Sequence, residues 1–181
     1  PLPTSFGGRD AYVDQLAVQM KSADPKYLFY PDELDAMAGD AARICGTKGI
    51  NWARFADYPM SDAVLPTAST DDIAYLQYSS GSTRFPHGVA VTHKALLNNL
   101  SAHSHGMELK PQDRCVSWLP WYHDMGLVGG VLQSMFFGRN SVLMSPMTFL
   151  QKPIRWLRGI SKYKVSISGG PNFAYDLCTS K

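Results

Sequence analysis

The sequence has few of the features that mark disulfide-rich, metal-binding or membrane-spanning proteins. Its three cysteines, Cys45, Cys115 and Cys178, are far apart and lack C-x-x-C spacing, so neither a disulfide framework nor a cysteine-based metal site is expected. The longest apolar run, around 125–137, is interrupted by two polar residues and is shorter than the roughly 20 residues that span a bilayer. We therefore expect reduced thiols, a cytoplasmic location and no transmembrane segment.

A strong excess of one charge is also missing. The formal net charge is +2 and no dense run of Lys and Arg occurs, which gives no reason to expect a surface for nucleic acid or anionic membrane. An initiator Met is absent, and the sequence starts with Pro-Leu-Pro and stops on a helical pattern, so we expect a fragment of a longer protein. Within it, 45% hydrophobic and 12% aromatic residues are enough for one substantial core.

Apolar periodicity predicts helices that alternate with short strands. The predicted helices are 9–23, 31–44, 92–105, 125–137, 149–160 and 172–178, and the predicted strands are 27–30, 72–78, 88–91, 114–119, 141–144 and 164–168. This alternation indicates an α/β fold with a mostly parallel sheet flanked by helices. Residues 59–70 are rich in Pro, Ser, Thr and Asp and read as a linker-like segment, the best internal boundary.

The stretch 78–89, Tyr-Ser-Ser-Gly-Ser-Thr-Arg-Phe-Pro-His-Gly-Val, lies between two predicted strands and has the composition of a phosphate-binding loop. Gly81 permits the backbone angles of an anion nest, and Arg84 adds a charge that can meet a phosphate in bidentate fashion. Further hydrogen bonds are available from the hydroxyls of Ser79, Ser80, Ser82 and Thr83. The Lys of a Walker A loop is missing. A solvated turn is the alternative reading of such a run.

A second polar group, His123 and Asp124, follows the predicted strand 114–119. Open α/β sheets bind ligands at the carboxyl ends of their strands, which favours a functional role. The alternative is that the two residues only cap the next helix, with Asp124 near its positive end. Within that helix, Gly129 and Gly130 leave space for a ligand or allow close packing on the sheet.

Both motifs resemble those of one family. Residues 77–86 and the stretch Leu-Pro-Trp-Tyr-His-Asp-Met-Gly-Leu at 119–127 are similar to two fingerprints of the fatty acyl-AMP ligases, a branch of the adenylate-forming superfamily that also holds acyl-CoA synthetases, adenylation domains of nonribosomal peptide synthetases and luciferases. Arg84 replaces the Gly found in most of the superfamily and is typical of this branch. His87 departs from the pattern, which has Lys or Arg there.

The resemblance implies that residues 1–181 are part of an N-terminal AMP-binding domain whose phosphate loop is 78–89. The implied phosphate ligands are Ser79, Ser80, Gly81, Ser82, Thr83 and Arg84. The implied acyl and adenylate pocket comprises His123, Asp124, Met125, Gly126, Gly129 and Gly130. No catalytic residue and no metal ligand is implied within the chain, because the family's catalytic Lys belongs to a C-terminal domain that has no counterpart here.

For the full-length protein, the resemblance implies an ATP- and Mg²⁺-dependent ligase. It would activate a fatty acid as an acyl-adenylate and transfer the acyl group to the phosphopantetheine thiol of an acyl carrier protein, in lipid, polyketide or lipopeptide biosynthesis. The isolated chain is expected to be incomplete for catalysis. Two alternatives remain, a long-chain acyl-CoA synthetase and a non-catalytic module that binds acyl groups or carrier proteins. The sequence does not indicate an oligomeric state.

Overall fold

A computed structural model describes residues 8–58, 61–78 and 88–180. The chain divides into two compact units, Pro1–His93 and Lys94–Lys181. In the described residues, helices alternate with strands. Four of the six strands form the parallel pairs β1–β2 and β5–β6, and β3–β4 is antiparallel. The predicted α/β fold with mostly parallel pairing is confirmed.

The first unit begins with α1 (Gly8–Ala23), β1 (Tyr27–Tyr30), α2 (Asp35–Cys45) and β2 (Lys48–Asn51). Helices α1 and α2 pack through a small core of Val13, Met20, Ala41 and Ala42. The two alanines have no side chain beyond Cβ, which allows the two helices to approach closely. Helix α2 ends at Gly46, whose φ of 67° lies in the left-handed region that glycine adopts without strain.

Strands β3 (Ile73–Tyr78) and β4 (Gly88–Thr92) complete this unit as an antiparallel pair. Tyr78 and Gly88 are opposite each other at the end of the pair. The Tyr78 ring occupies the space that a Cβ on Gly88 would need, since such an atom would lie 3.0 Å from the ring. The Tyr78 hydroxyl donates a 3.1 Å hydrogen bond to the Gln19 carbonyl of α1. The end of the hairpin is therefore attached to α1.

The second unit contains α3 (His93–Gly106), β5 (Arg114–Ser117), α4 (Gln133–Phe136) and β6 (Asn140–Leu143). Three further helices follow, and they are α5 (Pro146–Gln151), α6 (Ile154–Tyr163) and α7 (Asn172–Ser180). Cys115 of β5 pairs in parallel with Ser141 of β6 and also with Ile167 in a single bridge. Strand β5 thus lies between two parallel neighbours.

The core of this second unit is aromatic. Trp118 stacks on Phe149 with 4.0 Å between the ring centroids, and Trp156 meets Trp118 edge-on at 6.0 Å. Val116 and Ala174 complete the buried cluster. Fully burying large side chains of this kind contributes about 1.5–3 kcal/mol each, so this cluster is a principal source of stability for the unit.

Three predicted elements differ from the structure. The predicted helix 149–160 is two helices, α5 and α6, because Pro153 between them has no N–H to donate. The predicted strand 164–168 is only the bridge at Ile167, since the N–H groups of Ser166 and Ile167 both donate to the Arg114 carbonyl and break the alternation of a ladder. The third difference is the helix after His123, described below. Strand β2 was not predicted.

The three cysteines are free, as predicted. Burial raises the pKa of the Cys115 thiol, which keeps it in the unreactive protonated form. No helix in the described parts of the chain combines the length and apolar character needed to cross a membrane.

Candidate functional site

Of the predicted phosphate loop, the structure describes only the two ends, Tyr78 and Gly88 with Val89. Ser79, Ser80, Gly81, Ser82, Thr83 and Arg84 lie outside the described residues, as does His87. The flanking strands β3 and β4 are present as the sequence predicts. Their pairing brings Tyr78 and Gly88, the residues on either side of the undescribed stretch, next to each other. The roles assigned to the loop residues remain predictions.

The second predicted group lies where β5 leads into a helix. After β5 the chain passes through Trp118, Leu119 and Pro120, and a helix of the wide π type runs from Met125 to Leu132. It continues into α4, where the N–H of Gln133 donates to the Val128 carbonyl five residues earlier. The sequence predicted one regular helix over 125–137, so the wide turn is a correction.

Two hydroxyls satisfy one carbonyl at the end of this π-helix. Ser134 Oγ and Ser141 Oγ both donate to the Gly130 carbonyl, at 3.1 and 3.3 Å. In a regular α-helix that carbonyl would accept from the N–H of residue 134. Side-chain hydroxyls that bond to helix carbonyls are a recognised cause of distorted helices. We attribute part of the widening at Gly130 to these two bonds.

Asp124 is the N-terminal cap of the π-helix. Its Oδ1 accepts a 2.7 Å hydrogen bond from the Met125 N–H, and its carboxylate lies at the positive end of the helix dipole. The capping alternative raised by the sequence is therefore present in the structure for Asp124. Both His123 and Asp124 remain more than half exposed, so capping does not remove either from contact with a ligand.

The contacts of His123 indicate which ring nitrogen carries the proton. Nδ1 lies 2.7 Å from Asp124 Oδ1 and 3.2 Å from the Met125 nitrogen. It cannot donate to the carboxylate and accept from the amide at once. The contact with the carboxylate is shorter, and the Met125 N–H already has a 2.7 Å acceptor in Asp124. We therefore assign the proton to Nδ1 by its partners. With this tautomer, Nε2 is the ring nitrogen that can accept a hydrogen bond.

The glycines of the helix have different surroundings. A Cβ on Gly126 would lie 2.1 Å from the Pro120 carbonyl oxygen, and one on Gly130 would lie 3.0 Å from Ser117 Oγ. Gly129 is exposed and has nothing within 4 Å of an added Cβ. Gly126 and Gly130 thus allow close packing on the preceding strand and turn, whereas Gly129 borders open space.

The structure brings His123, Asp124 and Met125 together at the start of the π-helix and places all three glycines along it. Sequence reasoning missed Ser117, whose Oγ faces Gly130 and accepts from the Leu119 N–H at 3.3 Å. Its position as the last residue of β5 was the available signal. A separate cavity of about 420 Å³, with Lys110, Asp113 and Ser166 in its wall, contains none of the predicted pocket residues. Geometry and side-chain chemistry favour the His123 end of β5 over that cavity.

Metal ligands are not evident in the described ranges, where no group of three or more His, Cys, Asp or Glu side chains is placed to hold an ion. Apart from residues 79–87 of the loop, which lie outside the described ranges, the predicted site is built from an exposed imidazole, a capping carboxylate and a helix with one open glycine. Such a set can orient a ligand and accept a hydrogen bond.

Comparison with known proteins places the chain in one family. The family model described as AMP-binding enzyme matches residues 9–181. Over 99% of its length the chain is 39% identical to a Caulobacter vibrioides protein described provisionally as an acyl-CoA synthetase, and it covers 32% of that protein. Over 68% of its length it is 45% identical to a medium-chain-fatty-acid–[acyl-carrier-protein] ligase of Teredinibacter turnerae, of which it covers 19%.

Among solved structures, one from a study of fatty acyl-adenylate ligases from E. coli and L. pneumophila is similar over 99% of this chain and 33% of its own, with a TM-score of 0.91 and 38% identity. The chain spans between about a fifth and a third of the length of these relatives. The family model matches all of the chain except its first eight residues, and the chain belongs to the family of AMP-binding enzymes.

Proposed function

We propose that the protein containing this chain uses ATP to activate a fatty acid as an acyl-adenylate and passes the acyl group to the phosphopantetheine thiol of an acyl carrier protein. The observation that carries the proposal is the similarity, over nearly the whole chain, to the fatty acyl-adenylate ligase structure. The Teredinibacter relative, named as a ligase for medium-chain fatty acids and acyl carrier protein, supports the choice of substrates.

In the first step, a carboxylate oxygen of the fatty acid attacks the α-phosphorus of ATP, and the bond from that phosphorus to the bridging oxygen breaks to release pyrophosphate. In the second, the thiol sulfur attacks the acyl carbonyl, loses its proton to solvent or a base, and displaces AMP. Donors on residues 79–84 are suited to hold the phosphates of ATP, and Mg²⁺ would neutralise charge on the leaving pyrophosphate.

His123 is suited to position the acyl-adenylate. Asp124 contacts the ring through Nδ1 at 2.7 Å, which leaves Nε2 as the nitrogen available to accept a hydrogen bond from a ligand. The open side of Gly129 is suited to accommodate the acyl chain, because any larger side chain would occupy that space. We place the acyl pocket on this side of the π-helix, with Met125 and Gly126 at its start.

Adenylation is tested most directly by pyrophosphate exchange in the full-length protein with ATP, Mg²⁺ and fatty acids of graded chain length. We expect exchange that depends on the fatty acid, and the isolated 181-residue chain should show none, because the implied catalytic Lys belongs to another domain. Absence of exchange in the full-length protein, together with no ATP binding in calorimetry, would favour the non-catalytic module instead.

The acyl acceptor separates the ligase from its nearest alternative. The Caulobacter relative favours a CoA acceptor. Full-length protein would be given fatty acid and ATP with either CoA or a holo acyl carrier protein, and the thioesters would be identified by mass spectrometry. Acyl-CoA as the dominant product would replace the proposed ligase by an acyl-CoA synthetase.

Variants of the site distinguish binding from capping. His123→Ala should change the kinetics with the fatty acid while leaving the thermal unfolding temperature nearly unaltered. Asp124→Ala is the comparison variant: it removes the cap, which should cost about 1 kcal/mol of stability, and it also releases the His123 ring, so it should change both the unfolding temperature and the kinetics. If His123→Ala lowers only stability, its role is structural.

A further inference from the structure

Charge is distributed unevenly between the two units. Residues 94–181 contain ten basic residues (Lys and Arg) but only four acidic ones (Asp and Glu). Residues 1–93 contain seven basic and eleven acidic residues. Between Asp124 and Asp176 there is no acidic residue at all, and six basic residues occur. The net charge of +2 hides this asymmetry. A local excess of cations attracts anionic partners even where the whole molecule is nearly neutral.

Helix α6 carries three of these cations on exposed positions, Arg155, Arg158 and Lys162. Arg158 and Lys162 are four residues apart and share one face of the helix. The same face presents Ile154, Leu157 and Ser161, and together these five residues line a shallow concavity of about 530 Å³. We call this set the α6 face. It is an apolar strip bordered by cations.

The opposite side of α6 is fixed in the core of its unit. Trp156 is buried, and its Nε1 donates a 2.7 Å hydrogen bond to Ser168 Oγ. Gly159 is buried as well, and a Cβ there would lie 3.5 Å from a Val116 methyl group. The α6 face is therefore presented on a rigid element, which reduces the entropy lost when a partner binds.

The cations of the α6 face are not neutralised within the described part of the chain. Neither Arg158 nor Lys162 has a carboxylate within the 4.0 Å of an ion pair, in contrast to Arg9 and Arg43, which both pair with Asp40. Covering two unpaired cations with apolar protein would remove them from water without supplying any compensating charge. The face is thus suited to a partner that supplies carboxylates.

The small apolar area favours a protein partner over a lipid surface. Ile154 and Leu157 are 36% and 37% exposed, and Tyr163 at the end of the helix is 40% exposed, whereas Trp156 lies in the core. A helix that binds in a membrane interface needs a broad apolar face free to enter the lipid. Here the apolar strip is narrow and matches a groove for one or two apolar side chains of an opposing helix.

We propose that the α6 face docks an acidic amphipathic helix of a protein partner, and that this partner is the carrier protein that accepts the acyl group. The second clause rests on the proposed function. Carboxylates of the partner helix would face Arg158 and Lys162, and an apolar residue between them would contact Ile154 and Leu157. Charges at the rim of such a contact act mainly on the association rate and its salt dependence.

The test uses the full-length protein and a holo acyl carrier protein that presents an acidic amphipathic helix. The variant is the double reversal Arg158→Glu with Lys162→Glu. Lys94→Glu is the control, because Lys94 is an exposed cation of α3 and lies outside the α6 face. We expect the double reversal to raise the KM for the carrier protein about tenfold. The change removes two attractions between a cation and a partner carboxylate, and it adds two repulsions between carboxylates. Lys94→Glu should change it by less than about twofold.

Two readouts separate docking from chemistry. Pyrophosphate exchange needs no carrier protein and should be unaltered in the double variant. A carrier protein with two helix carboxylates changed to Lys should bind the double variant better than it binds the wild type. If the wild type shows no exchange, the proposed function fails, and direct binding of carrier protein by calorimetry still tests the docking.

The proposal is overturned by an unchanged KM and binding constant, or by an equal loss with Lys94→Glu. It is also overturned if the double reversal abolishes binding to vesicles of anionic phospholipid without affecting the carrier protein, or if it changes only the self-association of the protein in light scattering. Each of these results would assign the α6 face to a different occupant or to none.

Discussion

Replacing Gly126 by Ala should disrupt the turn that leads from β5 into the π-helix. The added Cβ would lie 2.1 Å from the Pro120 carbonyl oxygen and 2.8 Å from that of Leu119. Ordinary carbon–oxygen contacts are more than 3 Å, so backbone has to move by about 1 Å, and backbone cannot rotate away as a side chain can. We expect a cost of about 3 kcal/mol, which is a large share of the stability of a typical domain.

Two neighbouring glycines provide graded controls. Gly129→Ala adds a methyl group into open space and should stabilise the protein by about 0.5–1 kcal/mol, since Ala loses less backbone freedom than Gly in a helix. Gly130→Ala approaches Ser117 Oγ at 3.0 Å, and that side chain can rotate, so its cost should fall between the two.

Urea denaturation of the three variants, followed by far-UV circular dichroism, measures these differences. The midpoints should fall in the order Gly129→Ala, wild type, Gly130→Ala, Gly126→Ala. A Gly126→Ala protein as stable as wild type would refute the close approach of the π-helix to Pro120. A destabilised Gly129→Ala protein would show that the space beside Gly129 is filled.

Three further outcomes concern other positions in the chain. Ser168→Ala should lower stability by about 1–3 kcal/mol in thermal unfolding, because it leaves the buried Trp156 Nε1 without its 2.7 Å acceptor. The Lys110 N–H and the Ser166 hydroxyl both donate to Asp113 and lower the pKa of its carboxyl group. Its contribution is therefore present above the ordinary Asp pKa and is lost as pH falls through the depressed value, so Asp113→Asn should flatten the acid limb of a stability–pH profile. Arg84→Ala in the full-length protein should raise the KM for ATP without lowering the unfolding temperature, and unchanged kinetics would leave Arg84 outside the phosphate site.

The elements predicted well from sequence are those with strong local signals. Helix α1 follows its apolar periodicity, and α2 stops at Gly46 where a left-handed residue is needed. Strand β2 gave no such signal, because Lys-Gly-Ile-Asn contains one apolar residue and a glycine. It forms because β1 supplies a parallel partner, with Phe29 opposite Ile50. Tertiary pairing decides short strands of this kind.

The position of the candidate site in the chain could be predicted from the sequence, but its local geometry could not. The order of strand, Pro120, His123 and Asp124 was enough to place a polar pair at the start of a helix, and Asp124 does cap it. Which glycine borders open space depends on how the turn at Pro120 passes beneath the helix, and the wide winding depends on hydroxyls from α4 and β6. The Ser134 contact is one helical turn away, but the Ser141 contact joins residues eleven positions apart in different elements. No local pattern specifies that second contact or the path of the turn.

The edge-on pair of Trp118 and Trp156 in the second unit has an optical consequence. Both indoles are buried, whereas Trp52, which belongs to the first unit, is 53% exposed. Buried indoles emit at shorter wavelength than hydrated ones, so the blue part of the emission spectrum should come chiefly from residues 94–181. Replacing Trp52 and the exposed Trp121 by Phe would leave a protein whose fluorescence reports unfolding of the second unit, including the anchored side of α6.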